Sequence, residues 1–249
     1  MSQTFELCIA TETIATDAQQ LGVSVNELKC IYVYVTAKVV QQPSVSLQLT
    51  YHVSLPNQVL ATQLDWPIWQ SDQVGFCDYL WERSCLECFV TGGPADDTDF
   101  IDHTNSQPPA SYIEINASPD GRYALYQFKS YRNPATLPPT PLYQANGYTL
   151  ASIEWPTQLQ PKTSVENHLP NEIASLVKPY YYERSFNIAI TQSCAATPQY
   201  AISNTVIEQI HPCVILWLGT TPLYFAVSHA SPPDFHNSNH WSKFALESS

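Results

Sequence analysis

The chain of 249 residues is poor in positive charge and in glycine, and each shortage excludes a class of function. It has 10 Lys plus Arg against 22 Asp plus Glu, which gives a formal charge of −12. A phosphate backbone requires a basic patch, and none is visible, so we expect no nucleic-acid partner. An anionic membrane surface is disfavoured for the same reason. Seven glycines leave little material for loops that cradle phosphates.

Long apolar runs are also missing. No run of about 18 apolar residues occurs, so we expect no membrane span. The first residues, MSQTFELCIATETIATD, have neither a basic start nor a long apolar core, so we expect no signal peptide and a cytoplasmic location. The seven cysteines are expected to be buried thiols in a reducing compartment. Cys85 and Cys88 form a CxxC, but positions i and i+3 of a strand point to opposite faces, which disfavours a shared metal or a disulfide.

Strand patterns dominate the rest of the sequence. Apolar residues alternate with polar ones from Val45 to Leu55, which is typical of a half-buried antiparallel strand. The β-branched and aromatic run Cys30–Val40 is expected to pair with it. Further strands are predicted at Leu80–Val90, Ile113–Ala117, Arg122–Tyr131, Tyr148–Glu154, Ser185–Thr191, Val214–Leu218 and Leu223–Ser228. Some ten short strands separated by Pro-rich turns predict an all-β sandwich or barrel.

Little of the sequence favours other structure. We predict one short helix, Asn171 to Lys178, with Asn171 as its N-cap and Pro179 ending it. The segments Gly92–Pro109 and Pro156–Pro170 are interpreted as long loops. No internal repeat or shift in composition marks a boundary, so residues 1–249 are expected to form a single domain.

The most informative stretch is Tyr112 to Arg132, YIEINASPDGRYALYQFKSYR, which predicts two strands joined by a Ser-Pro-Asp-Gly turn. Pro119 fixes φ at the first turn position, and Gly121 can adopt the positive φ of a tight reversal. Successive side chains of a strand point to opposite faces. The apolar face of the first strand is therefore Ile113, Ile115 and Ala117. Its polar face is Tyr112, Glu114 and Asn116.

The same parity divides the strand Leu80–Val90. Its predicted core face is Leu86, Cys88 and Val90, and its predicted opposite face is Trp81, Arg83 and Glu87. Beside the polar face of the hairpin these residues would form one surface, to which the next strand would add Gln127, Lys129 and Tyr131. This surface is interpreted either as a ligand-binding face or as a structural network of Arg and Glu. Catalysis by Glu87 and Glu114 is a further alternative, because paired carboxylates with an aromatic platform occur in glycosidases.

Metal and nucleophile signals are weak. His229, Asp234, His236 and His240 carry donors that suit zinc or another divalent ion, but their spacing matches no standard motif. Such residues often cap turns instead. GxSxG and HExxH are both absent. We therefore expect no bound metal and no cofactor.

Three segments together resemble one family. LWERSCLECFV (Leu80–Val90), YIEINASPDGRYALYQFKSYR (Tyr112–Arg132) and HASPPDFHN (His229–Asn237) are similar to the DOMON-like domains related to family 9 carbohydrate-binding modules. In that family a Trp-containing strand precedes a Glu-x-Asn-x-Ser-Pro-x-Gly hairpin, and a Pro-Asp-Phe-His loop lies near the end. The order and approximate spacing match from about residue 30 to residue 246, and the first thirty residues align to nothing.

The resemblance implies a β-sandwich of two antiparallel sheets, immunoglobulin-like or jelly-roll-like, that binds a small carbohydrate or polyol on a concave face without catalysis. Family 9 modules hold a terminal sugar between two Trp rings; only Trp81 lies in a matching motif, and Trp241 is a candidate second ring. The predicted ligand-binding residues are Trp81, Arg83, Glu87, Tyr112, Glu114, Asn116 and Arg132.

Three rival functions remain. Some DOMON relatives bind haem, but the only methionine is Met1, so an axial pair would need two histidines, with His229 and His236 as candidates. A metal-assisted enzyme would use His229, Asp234 and His236. A structural or protein-interaction domain would use the patterned face only to stabilise the fold.

Overall fold

The chain folds mainly into strands. The computed structural model describes residues 2–40, 46–94, 111–144, 146–156, 180–189 and 205–244. Strand accounts for 49% of the structure, and the strands form a curled mixed sheet, a half-barrel. The predicted all-β class is therefore confirmed. No helix within these ranges has the length and apolar character needed to cross a membrane.

The described ranges contain twelve strands and three α-helices. The strands are β1 (Ser2–Ile9), β2 (Tyr32–Val40), β3 (Ser46–Leu55), β4 (Gly75–Phe76), β5 (Cys85–Pro94), β6 (Tyr112–Ala117), β7 (Arg122–Phe128), β8 (Ile153–Glu154), β9 (Tyr180–Ala189), β10 (Thr205–Leu218), β11 (Thr221–Ala226) and β12 (Ser242–Lys243). The helices are α1 (Ile14–Leu21), α2 (Val25–Lys29) and α3 (Gln58–Gln63).

The strands follow one hydrogen-bonded order, β4-β7-β6-β5-β10-β11-β1-β2-β3-β9-β8, with β12 paired to β10. All pairs are antiparallel except β4 with β7. β1 connects the two halves of the order, because its residues Ser2 to Leu7 pair with β2 while Cys8 and Ile9 pair with β11. The hydrogen-bonded strand order is therefore continuous through β1.

One hydrophobic core receives side chains from both halves of the sheet. Leu49 and Phe186 enter it from β3 and β9, and Ile115 and Val214 enter it from β6 and β10. Two hydrogen bonds also join the halves. The Tyr51 hydroxyl donates to the backbone carbonyl of Glu87 at 2.7 Å, and the Arg184 guanidinium donates to the carbonyl of Pro119 at 2.6 Å. Since each bond spans from one half to the other, they fix the position of the β5–β6 region over the core.

Several sequence predictions hold for the strands. β2 pairs with β3 as expected, with Val35 opposite Tyr51, and the alternating apolar residues Leu47 to Leu55 are buried. The hairpin of β6 and β7 is also present, and Gly121 has φ +113. Cys85 and Cys88 lie in different apolar clusters on opposite faces of β5, and both are free thiols.

Other predictions differ from the structure in extent. β10 has fourteen residues against the five predicted at Val214–Leu218. β8 has only two of the residues predicted at Tyr148–Glu154. β5 continues to Pro94, into the segment predicted as a loop. The rest of that loop, most of the loop Pro156–Pro170 and the predicted helix Asn171–Lys178 lie outside the described residues.

The first thirty residues contain structure that the sequence analysis missed. β1 buries Phe5 and Leu7, and α1 and α2 follow it. A signal for α2 was present in the sequence. The Ser24 hydroxyl accepts from the backbone of Glu27, and the Glu27 carboxylate accepts from the backbone of Ser24, which is a capping box. These helices and α3 were not predicted from the sequence.

The face of β5, β6 and β7 that points away from the main core is covered as well. A second apolar cluster lies on it, to which these strands contribute Cys85, Phe89, Tyr112, Tyr126 and Phe128. Later segments add Trp241 and Phe235. Glu87, Glu114 and Asn116, which were predicted on this face, are therefore buried rather than exposed to solvent.

Candidate functional site

A cavity of about 410 Å³ opens on this second face. Its walls come from the 3-10 helix Leu80–Glu82, from β5, β6, β7, β10 and β11, and from the segments that follow β7 and β11. The lining includes Trp81, Glu87, Phe89, Glu114, Phe128, Arg132, Tyr224, Asp234, Phe235 and His236. Aromatic rings and carboxyl groups thus line the same cavity.

Two carboxyl groups on neighbouring strands form the polar part of the cavity. Glu87 on β5 is paired with Asn116 on β6, and Phe89 is paired with Glu114. The two glutamates therefore lie diagonally on one face, as the parity of the sequence predicted. They are only 3% and 5% exposed respectively. Ionised carboxylates are rarely buried so far without a cation, so this pair requires an explanation.

Burial changes the ionisation of both groups. It raises the pKa of Glu87 well above its ordinary value, and the neighbouring Glu114 carboxylate raises it further. Burial also raises the pKa of Glu114 to about 7, although the hydrogen bond from Asn116 and the charge of Arg132 act in the opposite direction. At neutral pH the pair therefore holds a proton. It can donate one hydrogen bond through the protonated acid and accept others through the remaining oxygens.

Two of the predicted residues support the cavity from behind its wall. The Asn116 amide donates to Glu114 Oε1 at 2.7 Å, and this residue is fully buried. The Tyr112 hydroxyl is hydrogen bonded to His236 Nδ1 at 2.7 Å and accepts from the backbone of Arg132 at 3.1 Å. Asn116 thus orients one carboxyl, and Tyr112 holds the two segments that bear Arg132 and His236.

At the rim of the cavity an ion pair joins the segment after β7, which bears Arg132, to the segment after β11, which bears Asp234. The Arg132 guanidinium donates to Asp234 Oδ1 at 2.7 Å, and the Tyr131 hydroxyl donates to Oδ2 at 2.5 Å. Burial raises the pKa of Asp234, but these hydrogen bonds outweigh it and lower the pKa below its ordinary value. Burial and the nearby Arg132 lower the pKa of His236 to about 4, so its ring is neutral at pH 7.

Backbone strain also concentrates at this cavity. Among the described residues, two that are not glycine have a left-handed backbone, Tyr79 at φ 61 and Arg132 at φ 47. Tyr79 immediately precedes the 3-10 helix that bears Trp81, and Arg132 lines the cavity itself. Such conformations cost on the order of 1–3 kcal/mol and persist where the surrounding structure enforces them, often at functional sites.

Trp81 and Arg83 do not occupy the positions that strand parity predicted. β5 begins only at Cys85, and Trp81 lies in the 3-10 helix before it. Trp81 still reaches the cavity, where its ring packs against those of Tyr79 and Tyr126 at centroid distances of 5.3 and 6.0 Å. Arg83 is exposed and is not among the residues that line the cavity.

The contribution predicted for the third strand was wrong. In the observed register Glu114 is paired with Tyr126, and Tyr112 is paired with Phe128. Gln127 is paired with Ile113 instead, on the other face. β7 ends at Phe128, so Lys129 and Tyr131 are not part of a strand. Aromatic rings of β7 therefore lie on the cavity face, where we expected polar side chains. Tyr131 still contributes to the rim of the cavity through its hydrogen bond to Asp234.

The histidines predicted as weak metal candidates bind different partners. The His229 ring hydrogen-bonds the backbone carbonyl of Cys8 at 2.8 Å, and that of His240 bonds Ser228 at 3.1 Å. Asp234 is engaged by Arg132, and His236 lines the cavity. Within the described residues no group of three or more His, Cys, Asp or Glu side chains is arranged to hold a metal ion. His229, Asp234 and His236 thus do not form a common metal site.

Most of the apolar wall of the cavity was not predicted from the sequence. Phe89, Phe128, Tyr224 and Phe235 line the cavity, but their sequence pattern is that of ordinary core residues. Trp241, the candidate second ring for a sugar, is buried beneath the cavity, where its indole donates to the carbonyl of Phe235 at 2.9 Å.

The raised pKa of Glu114 makes a prediction about stability. A carboxyl whose folded pKa lies above its ordinary value stabilises the fold fully below about pH 4.5, and this contribution is lost as the pH rises through about 7. Glu114→Gln has no such loss. Its free energy of unfolding relative to wild type should therefore rise between pH 5 and pH 8, by as much as about 3 kcal/mol at 1.36 kcal/mol per pKa unit.

Denaturant unfolding at four pH values across this range measures the difference. Glu6→Gln, at an exposed position of β1, is the matched control and should show no trend. A difference between Glu114→Gln and wild type that stays constant or falls with pH would contradict the assignment of a protonated carboxyl.

Comparison with known proteins gives no match. No family model matches the chain, and neither a curated protein nor a solved structure is similar to it at a significant level. The resemblance to DOMON-like domains therefore stays a prediction from the three sequence segments. The function has to be inferred from the cavity.

Proposed function

We propose that the cavity binds a small carbohydrate or a similar polyol and does not catalyse a reaction. The observation that carries the proposal is the buried carboxyl pair Glu87 and Glu114 in a cavity with aromatic walls. The volume, about 410 Å³, lies within the range of about 300–1,000 Å³ common for small-molecule sites. A mostly apolar pocket with a few convergent polar groups is the usual form of such a site.

The chemistry of sugars suits these walls. A pyranose ring has CH groups that pack on aromatic rings, which Trp81, Tyr224 and Phe235 offer. Its hydroxyls both donate and accept hydrogen bonds. A carboxyl pair that holds a proton offers a donor and acceptors in the same place, and so complements neighbouring hydroxyls. Arg132 and Asp234 at the rim add charged hydrogen-bonding groups.

Binding accounts for the geometry better than hydrolysis does. Glycosidases place their two carboxyl groups on either side of the scissile bond. Glu87 and Glu114 extend instead from adjacent strands of one wall. They therefore approach a ligand from the same side, which favours recognition of hydroxyls over protonation and attack from opposite directions.

The same proposal extends to the architecture. We interpret the two halves of the curled sheet as the layers of a β-sandwich of the DOMON-like type. The shared core between β3, β9, β6 and β10 supports this interpretation, as do the bonds from Tyr51 and Arg184 across it. The cavity then lies on the outward face of one layer, where the resemblance implies a ligand site.

Ligand screening tests the proposed function. Thermal-shift measurements at pH 7 with mono- and disaccharides and with linear polyols should yield at least one compound that raises the melting temperature, because a ligand that binds only the folded state stabilises it. The shift should grow with ligand concentration. Glu114→Gln should retain its fold but show a smaller shift with the same compound. If no carbohydrate or polyol raises the melting temperature at millimolar concentration, the proposal is wrong.

A further inference from the structure

Within the part of the chain that the structure describes, no Lys or Arg side chain is bonded to the two carboxyl groups of the cavity. Glu114 accepts from the amide of Asn116, and the nearest histidine nitrogen, His236 Nε2, is 3.7 Å away on a neutral ring. Glu87 receives a hydrogen bond from the weakly donating thiol of Cys85. Among the described side chains no amine or guanidinium is hydrogen bonded to either carboxyl. Glu87 is therefore a carboxyl side chain that is only 3% exposed, lines the cavity and has no strong hydrogen-bond donor.

Arg132, a cation that lines the same cavity, is already engaged in an ion pair. Arg132 donates to Asp234 at 2.7 Å, which neutralises it at the rim. Arg132 influences Glu114 through its charge, but it forms no ion pair with it. The other groups near the carboxyls, Tyr126 and the thiol of Cys213, have pKa values raised by burial and stay neutral. Ionisation of Glu87 or Glu114 consequently leaves a negative charge in the cavity that no neighbouring group within the described ranges neutralises.

The walls next to this charge also favour a cation. Trp81, Phe89, Phe128, Tyr224 and Phe235 line the same cavity as the carboxyls. The face of an aromatic ring attracts a cation by up to a few kcal/mol when water is excluded. The formal charge of −12 on the whole chain adds a weaker, long-range attraction of the same sign.

We infer that the ligand of this cavity carries a protonated amine, as an amino sugar or amino polyol does, and that its ammonium binds between Glu87 and Glu114 within the aromatic walls. This inference rests on the proposed function and narrows it to one class of ligand. On binding, the proton held by the carboxyl pair leaves to solvent, and the ammonium takes its place. Atoms and charge balance, since one proton is released for each ammonium bound.

Matched pairs of ligands test the inference. Each amino compound is compared by isothermal titration at pH 7 with the analogue that has a hydroxyl in place of the amine. Suitable pairs are glucosamine with glucose, galactosamine with galactose, and 2-amino-1,3-propanediol with glycerol; N-acetylglucosamine, in which the amine is no longer basic, is a third member of the first set. At least one amine should bind tenfold or more tightly than its hydroxyl analogue.

The proton gives a second readout. Titrations repeated in buffers with different enthalpies of ionisation should reveal the release of about one proton per amine bound and close to none for a neutral sugar. Glu87→Gln should reduce the preference for the amine at least fivefold and lower the number of protons released per amine bound. Glu6→Gln, on an exposed position of β1, should change neither.

The possible outcomes separate the inference from the function on which it rests. Binding of neutral sugars as tight as that of their amines, without proton release, would overturn the inference and leave carbohydrate binding intact. Failure of every amine and every neutral compound to bind would overturn both. Tight binding of an amine that persists unchanged in Glu87→Gln would place the ammonium elsewhere and also overturn the inference.

Discussion

Phe89→Ala is expected to lower the free energy of unfolding by about 3–5 kcal/mol, the usual cost of removing a fully buried phenylalanine. Phe89 is 1% exposed and lies at the centre of the second apolar cluster. Its ring centroid is 4.9 Å from that of His236 and 5.7 Å from that of Trp241. The variant leaves a void that these rings cannot fill without losing their own contacts.

Thermal and denaturant unfolding measure this loss. At about 2–4 °C per kcal/mol for a chain of this size, the melting temperature should fall by roughly 10 °C. Tyr148→Ala is the control, because it also truncates an aromatic ring but at a position that is 79% exposed. Its effect should stay within about 0.5 kcal/mol. Equal effects of the two changes would show that the second cluster does not stabilise the fold.

Gly121→Val is expected to be the most damaging change in the β6–β7 turn. Gly121 has φ +113, a conformation that β-branched residues almost never adopt. A Cβ there would also lie 2.9 Å from a ring carbon of Trp69 and 3.1 Å from Val74. Backbone strain of about 1–3 kcal/mol and overpacking of a similar size predict a loss of about 3 kcal/mol or more.

Gly147 provides the matched comparison for this turn. Its φ is also positive, at +76, but a Cβ would meet nothing within 4 Å. Gly147→Val should therefore cost only the backbone strain, and less than Gly121→Val. Denaturant unfolding of both variants gives the difference. If Gly121→Val is as stable as Gly147→Val, the contact of the turn with Trp69 is not as described.

The sequence predicted the part of the fold in which one strand face is polar and the other apolar. β3 and β6 show such an alternation, and their core residues, Leu49 and Ile115 among them, are buried as expected. The same alternation placed Glu87, Glu114 and Asn116 together. These predictions succeeded because residues i and i+2 of a strand lie on the same face, so a polar face and an apolar face leave a period of two in the sequence.

The errors occur where that pattern fails. β7 is covered on both faces, so its sequence is apolar on both and does not show which face points to the cavity. Tyr126 and Phe128 lie on the cavity side, whereas the sequence analysis had placed Gln127 there, one residue out of phase. Trp81 precedes β5 and is not part of it, because Tyr79 adopts a left-handed backbone and the 3-10 helix Leu80–Glu82 follows. No feature of the local sequence specifies that conformation.

The loops that close the cavity were the least predictable part. Arg132 is about a hundred residues from Asp234 and His236 in sequence, and only the folded chain brings it together with them. From the sequence, Arg132 was predicted to bind a sugar, and Asp234 and His236 were weak candidates for binding a metal. Both assignments concern the same rim, where Asp234 is ion-paired with Arg132.

Titration of Trp81→Ala tests the central claim most directly. The ligand is the carbohydrate, amino sugar or polyol that gives the largest thermal shift with the wild-type protein, and isothermal titration compares the two proteins. Trp81 lines the cavity beside Glu87 and is only partly buried, so its removal should leave the fold intact. We expect the dissociation constant to rise at least tenfold, which corresponds to about 1.4 kcal/mol of lost binding energy. An unchanged dissociation constant in a folded Trp81→Ala variant would contradict the claim that this cavity is the binding site.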